Sequence, residues 1–335
     1  MADARAARQA VGALSLGIGR RGRDAHSNNE KREQALVASA ARRRFLLLFD
    51  KSFTDLPGLD RSRRAARDFV RLKLTPTDLA AVAGSDLVVA ADGANSTVRG
   101  LLQEDFGPSL DVRPNFLAWY GTPRRFDPLS LVFRQNADGL LIAHAYTYSP
   151  TLSTFLVETD PDTFARSGLG AMSEADSLRY CERVFAEDLA GEPLRSNKSQ
   201  WFRYAIVRNR SWHRGNVVLL GDALRTGHPS IGSGTRLAMQ DSIALFRAFE
   251  RCGADVPASL AEFERARRPG SDDLRAAAVK STEWYETVRM KLDLAPVAFA
   301  YDYMRRTGRV SHEDLRTRDP ALVARYEALR GARAG

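Results

Sequence analysis

The chain has 335 residues, enough for two domains or one large domain with an insertion, and 44% of them are hydrophobic, as in ordinary globular proteins. It contains no apolar run near the roughly 18 residues of a membrane span, and its Gly-rich start lacks a signal-peptide cleavage site. We therefore expect a cytoplasmic protein with no membrane partner. Cys181 and Cys252 lie far apart without a His at metal-ligand spacing, which predicts no zinc site and no disulfide framework.

The net charge of +9 is concentrated at one end of the chain. Residues 1–64 carry 14 Lys or Arg and 7 Asp or Glu, so the remainder is close to neutral. A basic arm can bind phosphate, whereas a solvated leader is the simpler interpretation. We therefore predict no nucleic-acid partner.

The first predicted segment, residues 1–64, does not have the pattern of a nucleotide-binding unit. It contains a literal G-x-G-x-x-G from Gly17 to Gly22, but the text that follows, "RDAHSNNEKREQ", is not an amphipathic helix. The apolar run Arg44–Asp50 fits either a strand or a turn of hydrophobic helix. We interpret this segment as an aberrant basic segment without a working dinucleotide fingerprint, followed from Ser62 by a predicted helix.

The next predicted element ends in an Asp-Gly pair. Leu87–Ala90 has the pattern of a buried strand and is stopped by Asp92 and Gly93, after which a polar helix begins with Ser96 and Arg99. A ligand contact is one interpretation of this Asp, since open α/β sheets bind ligands beyond the carboxyl ends of their strands. A strand that ends in a turn, with Asp92 as a helix cap, is the other.

Residues 112–160 change in character and predict several strands separated by turn residues. His144, Tyr146 and Tyr148 alternate, so they share one strand face, which either lines a pocket or packs as an ordinary sheet face. Trp119 and Tyr120 are further candidates for substrate contact, although such aromatic residues are more often part of a core. Beyond this region, "SEADSLRYCERVFAEDLA" predicts a helix with Ser173 as its N-cap, and "WFRYAIVRNRSW" predicts another strand.

A second strand ends in a Gly-Asp pair within "NVVLLGDALRTGHPSIGSGTRLAMQD". Val217–Leu220 predicts a central strand, Gly221 allows a tight turn, and Asp222 can accept hydrogen bonds from the hydroxyls of a sugar or ribityl chain. Gly232 and Gly234 precede a helix that is predicted to begin near Thr235, whose amides can face electron-rich oxygens.

These two motifs, in this order around a β-rich insertion, resemble those of the FAD-dependent aromatic hydroxylases, the single-component flavoprotein monooxygenases. "ADGANSTVR" resembles the Asp-Gly motif of that family, and "GDALRTGHPSIGSGTRLAMQD" resembles its Gly-Asp motif. "WYGT", "AHAYTYS", "STFLVE" and "FAYDYMRRTGRV" are most similar to the branch that acts on salicylyl-CoA or 2-aminobenzoyl-CoA and to the tryptophan hydroxylase of violacein synthesis. The resemblance covers roughly Ser85 to Ala328, and the N-terminal G-x-G-x-x-G portion of the family is missing or aberrant.

The resemblance implies roles for residues of both motifs. Those implied to bind FAD are Asp92, Gly93, Arg99, Gly221, Asp222, Pro229, Gly232, Ser233, Gly234 and Thr235. His228 and Pro229 would lie beside the flavin as catalytic candidates, although a loop-stabilising role is the alternative for His228. Trp119, Tyr120, His144 and Tyr146 would contact the substrate, and no metal is expected. Arg225 and Arg236 stand where the family has other residues and are given no role.

The implied activity is hydroxylation of an aromatic ring by FAD with NADH or NADPH and O₂ through a flavin hydroperoxide. The substrate would be an aryl-CoA thioester or an indole-type compound, and the protein a monomer or a homodimer. Two alternatives stay open: a flavin-fold reductase or dehydrogenase, and an inactive remnant that acts as a binding protein because the ADP-binding fingerprint is absent.

The expected fold is α/β, with a Rossmann-like FAD-binding domain, an inserted β-sheet substrate domain and C-terminal helices. The predicted boundaries are 1–64 for the basic segment, 65–110 and 205–290 for the FAD-binding domain, 111–204 for the substrate domain and 291–335 for the C-terminal helices.

Overall fold

The computed structural model describes the backbone of residues 45–49 together with residues 85–196 and 198–334. Within this part of the chain the strands are β1 (Phe45–Phe49), β2 (Leu87–Ala91), β3 (Pro108–Thr122), β4 (Ser130–Gln135), β5 (Leu140–Thr147), β6 (Ser153–Thr159), β7 (Arg195–Ser196), β8 (Phe202–Asn209), β9 (His213–Arg214) and β10 (Val217–Leu219). The Gly17–Gly22 motif and the helix predicted after Ser62 lie outside the described residues.

The α-helices of the same residues are α1 (Thr97–Leu101), α2 (Gln103–Phe106), α3 (Pro161–Ser167), α4 (Glu174–Val184), α5 (Ala186–Leu189), α6 (Gly221–Leu224), α7 (Gly234–Cys252), α8 (Val256–Thr287), α9 (Pro296–Arg305), α10 (His312–Arg318) and α11 (Pro320–Ala334). Short 3₁₀ turns occur at Leu169–Ala171, Pro229–Ile231 and Val288–Lys291. The expected α/β fold is confirmed. In the part of the chain that is described, no helix combines the length and the apolar character needed to cross a membrane.

The chain divides into two compact units. Among the described residues, the first contains those up to Asp111 together with Ile206–Val279, and the second contains Val112–Ala205 together with those from Lys280 onward.

A four-stranded sheet forms the centre of the first unit, in the order β1-β2-β10-β9. β1 and β10 both pair parallel to β2, and β9 pairs antiparallel to β10. The run Arg44–Asp50, for which strand and helix were both open, therefore contains the strand β1. Fully buried side chains of β2 and β10, such as Val88 and Val218, pack with apolar residues of α7 and α8 such as Leu245 and Phe263. This packing fixes the carboxyl ends of β2 and β10 at one edge of the sheet.

The second unit contains a six-stranded sheet in the order β4-β5-β6-β3-β7, with β8 also paired to β3. One face of this sheet packs against α4 and α5 through a cluster that includes Phe155 and Phe185. The opposite face packs in part against the end of α8 and against α9, through Ile142, Trp284 and Phe299. The Ser173 side chain accepts a hydrogen bond from the Asp176 amide at the start of α4, which confirms the predicted cap.

The helix α8 is longer than the sequence indicates, because it runs through Pro269. A proline removes one hydrogen bond and crowds one carbonyl, and the sequence therefore favours a break at this point. Buried apolar residues on both sides of the proline, among them Phe263 and Leu274, keep the two halves in one helix.

Candidate functional site

The two Asp-containing motifs meet at one edge of the sheet in the first unit. Because β2 and β10 are parallel neighbours, the turns that follow Ala91 and Leu219 lie side by side. Asp92 follows the first strand and Asp222 follows the second. This is the edge at which open α/β sheets bind their ligands.

The carboxylate of Asp92 is used to hold the start of α1. It accepts hydrogen bonds from Ser96 Oγ at 2.6 Å and from the amides of Thr97 and Val98 at 2.8 and 3.2 Å. The Ser96 hydroxyl in turn accepts a hydrogen bond from the amide of Arg99 at 3.0 Å. Asp92 is therefore a helix cap, as the alternative interpretation of this motif has it. A role of Asp92 in cofactor binding stays a prediction.

Arg99 connects the first motif to the second. Its buried guanidinium donates to the carbonyl of Ala94 at 2.5 Å and to the carbonyl of Ala223 at 2.9 Å. Burial lowers the pKa of Arg99, and the nearby Asp92 carboxylate opposes that change. The Arg99 side chain thus acts on the geometry of the site through backbone carbonyls.

Asp222 lies at the surface directly after the central strand. Gly221 has φ 58°, in the left-handed region, and this allows the chain to turn from β10 into α6. An added Cβ at Gly221 would lie 3.5 Å from the Cβ of Ala238, so α7 passes close to this turn. The Asp222 side chain is exposed, as a carboxylate that receives hydroxyls from a ligand must be.

The loop between α6 and α7 is bordered by open space. Apart from the adjacent residues and the backbone of the same helix, no atom of the described residues lies within 4 Å of a Cβ built on Gly227, Gly232 or Gly234. Ser233 precedes α7, and in the described part of the chain its side chain makes no capping bond to the first helical amides. A planar ligand can approach this backbone closely, and the amides at the start of α7 can donate to its oxygens.

His228 is buried at the start of the 3₁₀ turn Pro229–Ile231. Its Nδ1 accepts a hydrogen bond from the amide of Ser230 at 3.3 Å. Nearby, the Thr226 hydroxyl accepts from the amide of Val207 at 2.8 Å. His228 thus makes a hydrogen bond of the kind that stabilises a loop. The catalytic roles of His228 and Pro229 stay predictions.

Arg225, to which the sequence assigns no role, forms a buried ion pair beneath the loop. Its NH2 atom lies 2.6 and 2.7 Å from the two carboxylate oxygens of Asp241 on α7. Arg267 donates to the same carboxylate at 2.9 Å, and the Arg225 guanidinium lies 5.0 Å from the centre of the Trp212 ring. The pair joins the Gly-Asp segment to the helix that follows. No local sequence pattern predicts this ion pair, because Arg225 and Asp241 are 16 residues apart on different elements.

The four predicted substrate residues lie on two different faces of the sheet in the second unit. Trp119 and His144 both stand opposite Leu156 of β6, so they share one face. Tyr120 stands opposite Phe155 and is 1% exposed, within the cluster that packs against α4. Tyr120 thus has the core position that was the alternative for it, and its contact with a substrate stays a prediction. The signal was available, since neighbours in a strand point to opposite faces.

The other three candidates, Trp119, His144 and Tyr146, share the first face. Trp119 is 45% exposed and Tyr146 is 38% exposed, whereas His144 is 9% exposed. His144 Nε2 lies 3.0 Å from a carboxylate oxygen of Glu158, a residue that the sequence analysis did not select. A charged residue at the end of the apolar run "STFLVE" was the available signal for it.

The described residues of the first unit fit the ribityl and ring portions of FAD. The exposed carboxylate of Asp222 can accept hydrogen bonds from the hydroxyls of a polyol. The open space beside Gly232 and Gly234 can take a flat ring whose oxygens accept hydrogen bonds from the amides of α7. These features are of the kind that the Gly-Asp motif predicts.

Comparison with known proteins places the chain in a family. Residues 31–274, more than half of the chain, match the family model described as FAD binding domain. The chain therefore belongs to the FAD binding domain family.

Three curated relatives are similar to the chain. Salicyloyl-CoA 5-hydroxylase of Streptomyces sp. is 40% identical over 252 residues, which are 72% of this chain and 48% of that protein. Protodeoxyviolaceinate monooxygenase of Chromobacterium violaceum is 40% identical over 224 residues, 66% of this chain and 59% of that protein. The 3-hydroxy-4-methyl-anthranilyl-[aryl-carrier protein] 5-monooxygenase of Streptosporangium sibiricum is 37% identical over 263 residues, 78% of this chain and 69% of that protein.

The chain thus spans about half to two thirds of the length of these relatives. Among solved structures, Pseudomonas aeruginosa PqsL in complex with 2-aminobenzoylacetate is 21% identical with a TM-score of 0.47, over 62% of this chain and 57% of that chain.

Proposed function

We propose that this protein is an FAD-dependent monooxygenase that hydroxylates an aromatic ring, with NADH or NADPH as the reductant and O₂ as the oxygen source. The observation that carries the proposal is the exposed carboxylate of Asp222 at the end of β10, beside the open loop that begins α7, in a chain of the FAD binding domain family. The names of the three similar relatives support the choice of a monooxygenase over other flavin chemistry.

In this proposal Asp222 accepts hydrogen bonds from ribityl hydroxyls, and the backbone of Gly232–Thr235 faces the flavin ring, with His228 and Pro229 at its side. Asp92, Gly93 and Arg99 act near the pyrophosphate of FAD. Arg99 also joins the two motifs through its hydrogen bond to the Ala223 carbonyl. FAD, when bound, supplies the reduced flavin that activates O₂. The remaining work of the protein is to orient the ring and to exclude water.

The proposed substrate is an aromatic ring presented as a thioester, with an indole-type ring as the second choice. Two of the relatives are named for an acyl group on CoA or on an aryl-carrier protein, salicyloyl in one and 3-hydroxy-4-methyl-anthranilyl in the other, and the third is named for protodeoxyviolaceinate. The exposed ring of Trp119, with Tyr146 on the same sheet face, gives such a substrate an aromatic surface to contact. A cytoplasmic location, a monomer or homodimer, and the predicted domain boundaries are further parts of the proposal.

Reconstitution tests the proposal directly. The full chain is incubated with FAD, and the oxidation of NADH or NADPH and the consumption of O₂ are followed with and without salicyloyl-CoA. A monooxygenase gives a hydroxylated product in step with O₂ consumption, and the product is read by mass spectrometry. Oxidation of NAD(P)H without a hydroxylated product favours a reductase instead, and the lack of any bound flavin contradicts both.

A further inference from the structure

The sheet of the second unit contains a carboxylate that is completely enclosed. Glu158 on β6 is 0% exposed. Its Oε1 accepts a hydrogen bond from Asn115 Nδ2 at 2.8 Å, and its Oε2 lies 3.0 Å from Nε2 of His144. Burial of a carboxylate costs several kcal/mol unless partners compensate for its lost hydration. A Glu at this position is therefore not explained by packing alone.

The tautomer of the imidazole follows from the hydrogen bond to Glu158 when that carboxylate is ionised. An ionised carboxylate accepts hydrogen bonds and cannot donate them, so Nε2 of His144 carries the proton that lies toward Glu158. Nδ1 then holds a lone pair, and no hydrogen bond from a described residue reaches it. A neutral imidazole whose far side is held by a carboxylate is oriented and ready to accept a proton, because the carboxylate stabilises the imidazolium that forms.

His144 lies at the border between a covered and an open part of the sheet face. On one side of it, Ile142 packs with Trp284 and Tyr285. On the other side, the next residue of β5 on this face is the exposed Tyr146, and the exposed Trp119 lies two strands away. A ring that contacts these two aromatic side chains therefore meets the imidazole at the edge of the covered region.

We propose that His144, oriented by Glu158, is the general base that accepts the phenolic proton of an aromatic substrate bound on this face, an inference that rests on the proposed hydroxylase function. The O–H bond of the phenol breaks, its electron pair stays on the oxygen as a phenolate, and the proton passes to Nδ1. The imidazolium is balanced by the Glu158 carboxylate and later returns the proton to the product or to water. The phenolate is the more electron-rich ring, which an electrophilic oxygen attacks faster. Asn115 is a positioning residue, since it fixes the carboxylate and does not touch the substrate.

The other titratable groups around the imidazole do not compete for this role. The Tyr285 ring lies 4.9 Å from the His144 ring, and burial raises the pKa of Tyr285, with the Tyr303 hydroxyl acting in the same direction. Tyr285 therefore stays neutral. Arg113, on the same face of β3 as Asn115, is paired with Glu286. Tyr146 is the remaining titratable group on this part of β5, and its exposed ring makes it a contact surface.

The test measures the ionisation of a bound phenol in the full chain without added flavin. Salicyloyl-CoA is titrated with protein, and its phenolate absorbance is recorded between pH 6 and 9, with 2-methoxybenzoyl-CoA as the ligand that cannot ionise. The wild type is expected to raise the phenolate fraction at neutral pH at least tenfold over the free ligand. His144→Gln and Glu158→Gln are expected to lose this increase, while the methoxy ligand binds equally to all.

Asp188→Asn is the matched control, because it removes a carboxylate paired with Arg134 on the opposite face of the same sheet. It is expected to keep the phenolate signal. Equal phenolate fractions in the wild type and in His144→Gln overturn the proposal, as does a failure of the wild type to bind salicyloyl-CoA. Should Glu158→Gln not fold, as judged by circular dichroism, His144→Gln decides alone. A phenolate signal without hydroxylation in the reconstituted protein contradicts the proposed function but not the role of His144 as a base. Hydroxylation without the phenolate signal contradicts the role of His144 but not the proposed function.

Discussion

The guanidinium of Arg99 donates a hydrogen bond of 2.9 Å to the backbone carbonyl of Ala223, across 124 residues of sequence. Arg99 belongs to the Asp-Gly motif and Ala223 directly follows Asp222 of the Gly-Asp motif. The bond fixes the turn that carries Asp222 relative to the turn that carries Asp92. Two motifs that are separate in the sequence thereby become one site.

Replacement of Arg99 tests this connection. Arg99→Gln removes a charged donor from two carbonyls, and hydrogen bonds to charged groups contribute about 1.5–3 kcal/mol each. We expect the free energy of unfolding to fall by about 2–4 kcal/mol, measured by urea denaturation. The exposed Arg247→Gln on α7 serves as the control and should change it by less than about 0.5 kcal/mol. Equal effects of the two substitutions would show that the link to Ala223 is energetically unimportant.

The neighbours Trp119 and Tyr120 should separate binding from stability. Trp119→Ala removes an exposed ring, so we expect unchanged urea denaturation and a roughly three- to tenfold weaker binding of salicyloyl-CoA, the magnitude of one aromatic contact. Tyr120→Phe removes the hydroxyl that lies 3.2 Å from Ser177 Oγ, and should cost about 1 kcal/mol of stability with no change in ligand affinity. Isothermal titration calorimetry gives the affinities, and the reversed pattern would place the substrate on the other sheet face.

The buried pair of Arg225 and Asp241 should matter far more than an exposed pair of the same chemistry. Asp241→Asn leaves two guanidinium groups beneath the loop without their counter-charge, which costs about 3–5 kcal/mol in buried pairs. Asp105→Asn makes the same change in the exposed pair with Arg214 and should cost less than about 1 kcal/mol. Urea denaturation of both variants gives the comparison. Similar losses would mean that the pair beneath the loop is not energetically buried.

The two cysteines should differ in reactivity. Burial raises the pKa of the Cys181 thiol to about 12, so only about one thiol in ten thousand is ionised at pH 8. Cys252 at the end of α7 is partly exposed. We expect a disulfide reagent such as DTNB to modify one thiol rapidly at pH 8 and the second only in urea. Burial also keeps the reagent away from Cys181 in the folded protein, so its modification should follow unfolding. Cys252→Ser should abolish the fast phase; its persistence would contradict the burial of Cys181.

The elements that depend on local pattern were predictable. Leu87–Ala90 and Val217–Leu220 are short β-prone apolar runs that end in Gly-Asp or Asp-Gly, and they form β2 and β10. The helix that begins near Thr235 and ends at Gly253 has an apolar period and a terminal glycine, and it forms α7. In each case residues that are close in the sequence determine the conformation.

The contacts that build the site depend on register and were not predictable in the same way. The pairing of His144 with Glu158 requires that β5 and β6 align so that His144 stands opposite Leu156, and a shift by one residue would place them on opposite faces. The pairing of Arg225 with Asp241 requires the turn of α6 to lie against α7. The sequence shows which residues carry charge, and the packing of the two elements decides which charges meet.

A flavin titration tests whether Asp222 and the loop before α7 bind FAD. The full chain is titrated with FAD, binding is read by the quenching of flavin fluorescence, and the wild type is compared with Asp222→Ala. Glu250→Gln, an exposed carboxylate change on α7, is the control. We expect binding by the wild type and the control and at least tenfold weaker binding by Asp222→Ala, since hydrogen bonds to a charged acceptor contribute about 1.5–3 kcal/mol. FAD affinity that is the same in Asp222→Ala as in the wild type would contradict this expectation.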